Sequence, residues 1–338
     1  MTDEDLSSLE AQNQIIEFEI VVKALLDKDK VFPPKLLYRL SNLNENELTS
    51  LFKIWETITP GRRLSLLEDL ENLSEIDFLL SYNSVFKNAI TDPEPKVQQV
   101  AIRALWECED PSLINKFIEI LESDQSIDTH AQAVSGLGRF VYLGEVNEIS
   151  TERKKQVEKK IFNILEDEST PDKIRQFALE SIGYSSIAKV ESIIEMGYEN
   201  GSQEWKQSAL IAMGRSGEHR WGPFIVENLD SIDEATQLAA IKAAGEIALS
   251  EAKSYLLELL DDYNDDVRYS AIWALSEIGG DGILNKIENL LQECDDEEEI
   301  EILEKALENL EFNEDIADFD FFDFSDDDDD YYEESYED

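Results

Sequence analysis

The sequence predicts an all-α chain: an αα-superhelix of stacked helix pairs, ending in a disordered acidic tail. Three observations carry this. First, the stretch 262–279, DYNDDVRYSAIWALSEIG, sets Val267, Ala271, Ile272, Ala274, Leu275 and Ile278 at three- and four-residue steps behind a capping Asn264, the pattern of an amphipathic helix. Second, the phrase alanine, aliphatic, any residue, small, apolar stands at Ala271 and returns at Ala240, Ala209, Ala178, Ala133 and Ala101, at steps of 31, 31, 31, 45 and 32 residues. A near-constant period of this size marks a solenoid, because each helix pair can bury its apolar face only against its neighbours. Third, residues 311–338 hold 15 Asp or Glu, no Lys or Arg, and eight aromatics. Such a segment repels itself and has too few aliphatics to build a core.

In chain order, residues 1–84 read as a helical capping region with a degenerate repeat, since a terminal repeat must cover an otherwise open core face. An apolar-rich helix from about Asp5 to Asp27 is broken at Phe32-Pro33-Pro34. Asn44 with Glu47 caps a helix from Glu45 to Ile58, and Thr59-Pro60 opens another through about Leu73. Residues 85–310 read as the regular array. Its inner helices start at Asp92 before Pro93, Thr170 before Pro171, Ser231 ahead of Glu234, and Asn264. Outer helices fill 111–122, 251–260 and 283–292. The 45-residue step leaves two readings of residues 140–153: an insertion on a connecting loop, or a lengthened outer helix with Lys154, Lys155, Lys159 and Lys160 on its solvent face. Gly138, Gly183, Gly214 and Gly245 share one repeat position, which suits helix termination and close packing. Residues 311–338 are the acidic-aromatic tail.

With Asp266-Val267-Arg268 ahead of Ala271-Ile272 and the same phrase repeated in one register, the chain resembles the short HEAT repeats of the phycobilisome-lyase type over roughly residues 85–310, with a last weak copy at 303–307. The resemblance implies an armadillo-type solenoid. It leaves function open among plain scaffolds, bilin lyases, a metal-dependent hydroxylase of a modified lysine and DNA glycosylases.

Charge and chemistry narrow that choice. With 77 Asp plus Glu against 29 Lys plus Arg, the formal charge of −48 repels polyanions and argues against nucleic acid as a partner. The hydroxylase of the resemblance holds iron through repeated His-Glu pairs, whereas this chain has only His130 and His219, the latter read as a surface turn residue. No Walker loop, HExxH or Gly-x-Ser-x-Gly elbow occurs. No catalytic residue, cofactor or metal is therefore expected. Cys108 and Cys294 lie outside any spaced framework, no apolar run nears the roughly 20 residues of a membrane span, and the acidic start is unlike a signal peptide, so a cytoplasmic monomer is expected.

What remains is a ridge. Residues two before, two after and six after each repeat alanine share a helix face. On a concave inner surface they give Arg103, Arg139, Tyr184, Ile211, Arg215, Lys242, Tyr269 and Trp273 as partner-binding residues, with cations and anions in balance along the row. Arg175, Lys206 and Arg268 fall one step outside. In the tail, Phe319, Phe321, Phe322, Phe324, Tyr331 and Tyr332 form an aromatic motif among acids, either a recognition element or simply part of a solubilising tail. The expected function is a non-catalytic scaffold that holds a protein or peptide along the ridge. The alternative is an enzyme or enzyme helper like the lyase or the hydroxylase.

Overall fold

The computed structural model describes residues 16–77 and 79–322, and for Asn200 and residues 314–322 the backbone alone. Among the described residues all regular structure is helical: α1 (Phe18–Leu26), α2 (Glu45–Ile54), α3 (Pro60–Ile76), α4 (Asn83–Ala89), α5 (Pro95–Arg103), α6 (Ser112–Leu121), α7 (Ile127–Glu145), α8 (Thr151–Glu166), α9 (Asp172–Ile182), α10 (Lys189–Asn200), α11 (Gln203–Arg215), α12 (Gly222–Val226), α13 (Glu234–Glu246), α14 (Lys253–Leu259), α15 (Asp265–Ile278), α16 (Ile283–Glu293) and α17 (Glu297–Phe322), with short 3₁₀ turns between some of them. The chain forms a helical-repeat solenoid and divides into two compact units, Met1–Ile193 and Ile194–Asp338.

In the first unit α3, α5, α7 and α9 pack one upon the next as an inner row, backed by α4, α6 and α8. In the second, α11, α13, α15 and α17 do the same, backed by α12, α14 and α16. The repeated phrase is what stacks them. Each repeat alanine and the aliphatic after it, from Ala101-Ile102 to Ala271-Ile272, is at most 1% exposed.

The shared glycine position follows from the same stacking. A Cβ on Gly138 would lie 3.1 Å from the Ser181 Cα of α9, and one on Gly245 would lie 3.0 Å from the Ala274 Cα of α15. The helices continue through both residues, so close approach of successive inner helices, rather than termination, requires glycine there.

Several local expectations are corrected. Asp92 is not the N-cap residue of α5: Glu94 stands there without a side-chain cap, and the buried Asp92 carboxylate accepts from the Glu94 backbone N–H at 2.8 Å, Trp55 Nε1 at 2.6 Å and Arg63 Nη2 at 2.9 Å. Asp233, not Ser231, caps α13, accepting from the Thr236 backbone N–H, and Thr170 does not cap α9. Asn264 caps α15 and Asn44 with Glu47 makes a full capping box. The long step holds no loop insertion. α7 continues through Glu145, burying Phe140, Val141 and Leu143, and α8 is a 16-residue outer helix. Two of its lysines are paired across elements, Lys154 with Glu145 and Lys160 with Glu122, both at 2.9 Å.

Helical backbone also runs past Leu310, where the composition predicts that order ends, to Phe322. The buried Leu303, Ala306 and Leu310 hold the preceding turns, and extending a formed helix costs far less than nucleating one. Phe319, Phe321 and Phe322 thus stand on helical backbone, while Phe324, Tyr331 and Tyr332 lie outside the described residues.

Candidate partner-binding face

The repeat register sorts the inner helices' polar side chains into columns with separate tasks. Three residues before five of the six alanines stands a side chain that reaches a carbonyl near the end of the preceding outer helix; at the sixth, Lys206 lies over the Tyr198 ring instead. Gln98 reaches Ile90 O at 2.7 Å, Arg175 reaches Leu165 O at 3.1 Å, Gln237 reaches Leu229 O at 2.9 Å and Arg268 reaches Asp262 O at 2.9 Å. His130 meets Ser123 O at 3.1 Å from the same column. The last carbonyls of a helix have no partners within it, so these side chains complete the outer helices. Arg268 is also held by Glu299, which keeps its pKa raised. This column is structural.

In the ridge columns the two units differ. On α5, Arg103 makes a two-pronged contact with the nearly buried Glu71 of α3, Nε to Oε1 at 2.7 Å and Nη2 to Oε2 at 2.6 Å, and its pKa is raised chiefly by that contact. On α7, Arg139 donates to Glu109 at 2.9 Å and lies over the rings of Trp106 and Tyr142, 5.8 and 5.1 Å from their centroids. Tyr184 meets Tyr142 edge-on at 5.6 Å and is half-buried. These three expected contact residues are therefore engaged within the fold.

The second unit presents an open site. Lys242 of α13, Tyr269, Ser270, Trp273, Ser276 and Glu277 of α15, and Ile302, Lys305, Ala306 and Asn309 of α17 line one cleft of about 430 Å³. Trp273 and Tyr269, expected to be exposed, are half-buried, because their rings form the wall. Gly245 makes room for this: a Cβ there would stand 2.7 Å from Trp273 Cζ3. Lys242 is exposed and has no hydrogen-bond or ion-pair partner among the described residues. Lys305 pairs with Glu301 at 2.8 Å, and Asn309 donates to Glu277 at 3.0 Å. Ile211 and Arg215, both half-buried on α11, stand outside the cleft lining. Burial pushes the Glu246 carboxyl above its ordinary range, with Lys242 and Arg215 opposing that rise.

Residues 222–308 match the family model of HEAT repeats. That match spans most of the residues that line the second unit's cleft. No curated protein matches the chain. Solved structures similar to it include a designed armadillo repeat protein in complex with the peptide (KR)4 (23% identity, 68% of this chain and 100% of that one, TM-score 0.33) and human deoxyhypusine hydroxylase in complex with glycerol (17%, 81% and 99%, TM-score 0.36). A Kap121p mutant is similar over 96% of this chain and 42% of its own, at 15% identity and TM-score 0.40. These likenesses concern the helical-repeat fold alone. No helix among the described residues is long and apolar enough to cross a membrane.

Two features escaped the ridge rule. Trp106, 58% exposed, stands in the column that later repeats give to glycine or serine, and an indole cannot fit between inner helices there. A tryptophan in a glycine column is the signal that would have found it. Lys305 and Asn309 fall two and six residues after Leu303, which takes the alanine's place in the weak copy at 303–307, so they continue the ridge; a copy without its leading alanine carries too faint a phrase to extend the row.

Proposed function

We propose that this chain is a non-catalytic scaffold that holds a protein or peptide on its inner helix faces, with the Lys242–Tyr269–Trp273 cleft as the main anchor. One observation carries the reading: a cleft walled by two aromatic rings opens beside an exposed lysine that makes no hydrogen bond or ion pair among the described residues, in a chain of net charge −48. Aromatic walls of this kind accept an apolar anchor side chain, and the lysine selects a carboxylate next to it. The partner fitted is a segment that presents an aromatic or long aliphatic side chain beside an acidic one.

A photoreactive benzoylphenylalanine in place of Tyr269 tests this in source cells, with the same probe at Tyr255 on the outer helix α14 as control. Adducts with other proteins are expected at Tyr269, lost with Trp273→Ala. Identical adducts at the two positions would remove the reading.

A further inference from the structure

We propose that residues 323–338 of this same chain occupy the Lys242–Tyr269–Trp273 cleft, anchored by Tyr331 and Tyr332, so that the site is masked until a partner displaces them. The inference rests on reading the cleft as a binding site.

Geometry selects the anchors. α17 forms one wall through Ile302, Lys305, Ala306 and Asn309 and then runs on to Phe322. At about 1.5 Å per helical residue, Phe322 lies about 20 Å along the axis beyond Asn309. Phe319 lies about 15 Å beyond it, so the helical phenylalanines are carried away from the cleft rather than toward it. Chain beyond Phe322 spans at most about 3.3–3.6 Å per residue, so Phe324 can return only about 7 Å, whereas Tyr331 can return about 30 Å. Of the aromatic motif, only Tyr331 and Tyr332 have the reach.

The chemistry agrees with the reach. The two tyrosines follow Asp326 to Asp330 and precede Glu333 and Glu334, so each brings a ring for the Tyr269–Trp273 wall and carboxylates for Lys242 and Lys305. A tether of this length gives an effective concentration of millimolar order, at which weak contacts are enough to fill the site. Against docking stands the repulsion of an acidic segment by an acidic body. That repulsion is long-ranged and is screened first, while contacts inside the cleft are screened less, so occupancy rises as salt is raised.

The test uses the full chain with benzoylphenylalanine in place of Tyr332, irradiated in dilute solution, with products mapped by mass spectrometry. Crosslinks within the chain are expected to fall on residues 269–277 and 302–309, to grow with salt, and to drop about fivefold or more in Trp273→Ala, the scale of losing an aromatic anchor. The same probe at Phe324 should not reach these residues. Equal products from the two probe positions, or a Tyr332 yield indifferent to Trp273→Ala, would overturn the inference. If Tyr269 still captures other proteins while the Tyr332 probe gives no cleft product, the scaffold reading stands and the self-occupied cleft is ruled out.

Discussion

The inner rows of the two units share one sequence register, and single positions in it are put to different uses. In the first unit a ridge cation meets a carboxylate on a neighbouring element: Arg103 faces Glu71, and Arg139 faces Glu109 under two aromatic rings. In the second unit the residues at Lys242's position on the neighbouring inner helices are Ile211 and Trp273, neither of which can pair with it, and the lysine makes no ion pair among the described residues while the aromatic wall stays open. The difference teaches that a ridge position becomes a site or a tie according to what the next helix offers. The repeat register by itself decides neither.

The comparison can be broken most forcefully in the first unit. Asp92 and Arg63 are both buried, and Asp92→Ala leaves an uncompensated guanidinium, for an expected loss of about 3–5 kcal/mol in urea unfolding. In the second unit the corresponding weak point is small-residue packing. Gly245→Val drives a branched side chain into Trp273 and Ala274, with an expected loss of about 1–3 kcal/mol and closure of the cleft, seen as weaker capture by the Tyr269 probe.

Arg103→Ala strips Glu71 of its partner. Because the arginine is itself more than half exposed, the loss should be smaller, about 1–2 kcal/mol.

Glu246→Gln should stabilise the chain modestly at neutral pH. The folded-state pKa of this acid is raised by burial, so the native state binds more protons than the unfolded one between the ordinary carboxylate value and the raised one. Stability contributed by this residue therefore falls as pH rises through that window. The gain from glutamine should vanish as pH is lowered to the ordinary carboxylate range, which thermal unfolding at a series of pH values would check.

Lys242→Ala sharpens the contrast at its faint end. The lysine makes no ion pair among the described residues and its charge reaches Glu246 only through solvent, so its loss should shift stability by no more than about 0.5 kcal/mol while weakening capture at the cleft. A loss as large as that of Arg103→Ala would erase the distinction drawn between the two rows.

Much of the architecture is legible in the residues. The alanine phrase marks every inner helix from α5 to α15, and the buried pairs it names are the ones that stack. The periodicity also placed Lys242, Tyr269 and Trp273 on one face, and they line one cleft. It could not separate them from Arg103, Arg139 and Tyr184, which occupy equivalent columns. Helix starts were less legible, since Asp92 has a capping residue's place in sequence and an ion-pair hub's place in space. The end of α17 was misjudged for a related reason: composition reports what a segment can bury, not that a helix already formed upstream extends into it.

The sequence by itself determined the all-helical class, the repeat period, the buried alanine faces and the glycine column, because each follows from contacts a helix makes with itself or with a near-identical neighbour. Only the tertiary structure decided which ridge residues are ties and which form a site. That choice depends on the side chain a neighbouring helix brings within a few ångströms, such as Glu71 beside Arg103 or Trp273 over Gly245, and partners some thirty residues apart carry no mark of each other in the chain.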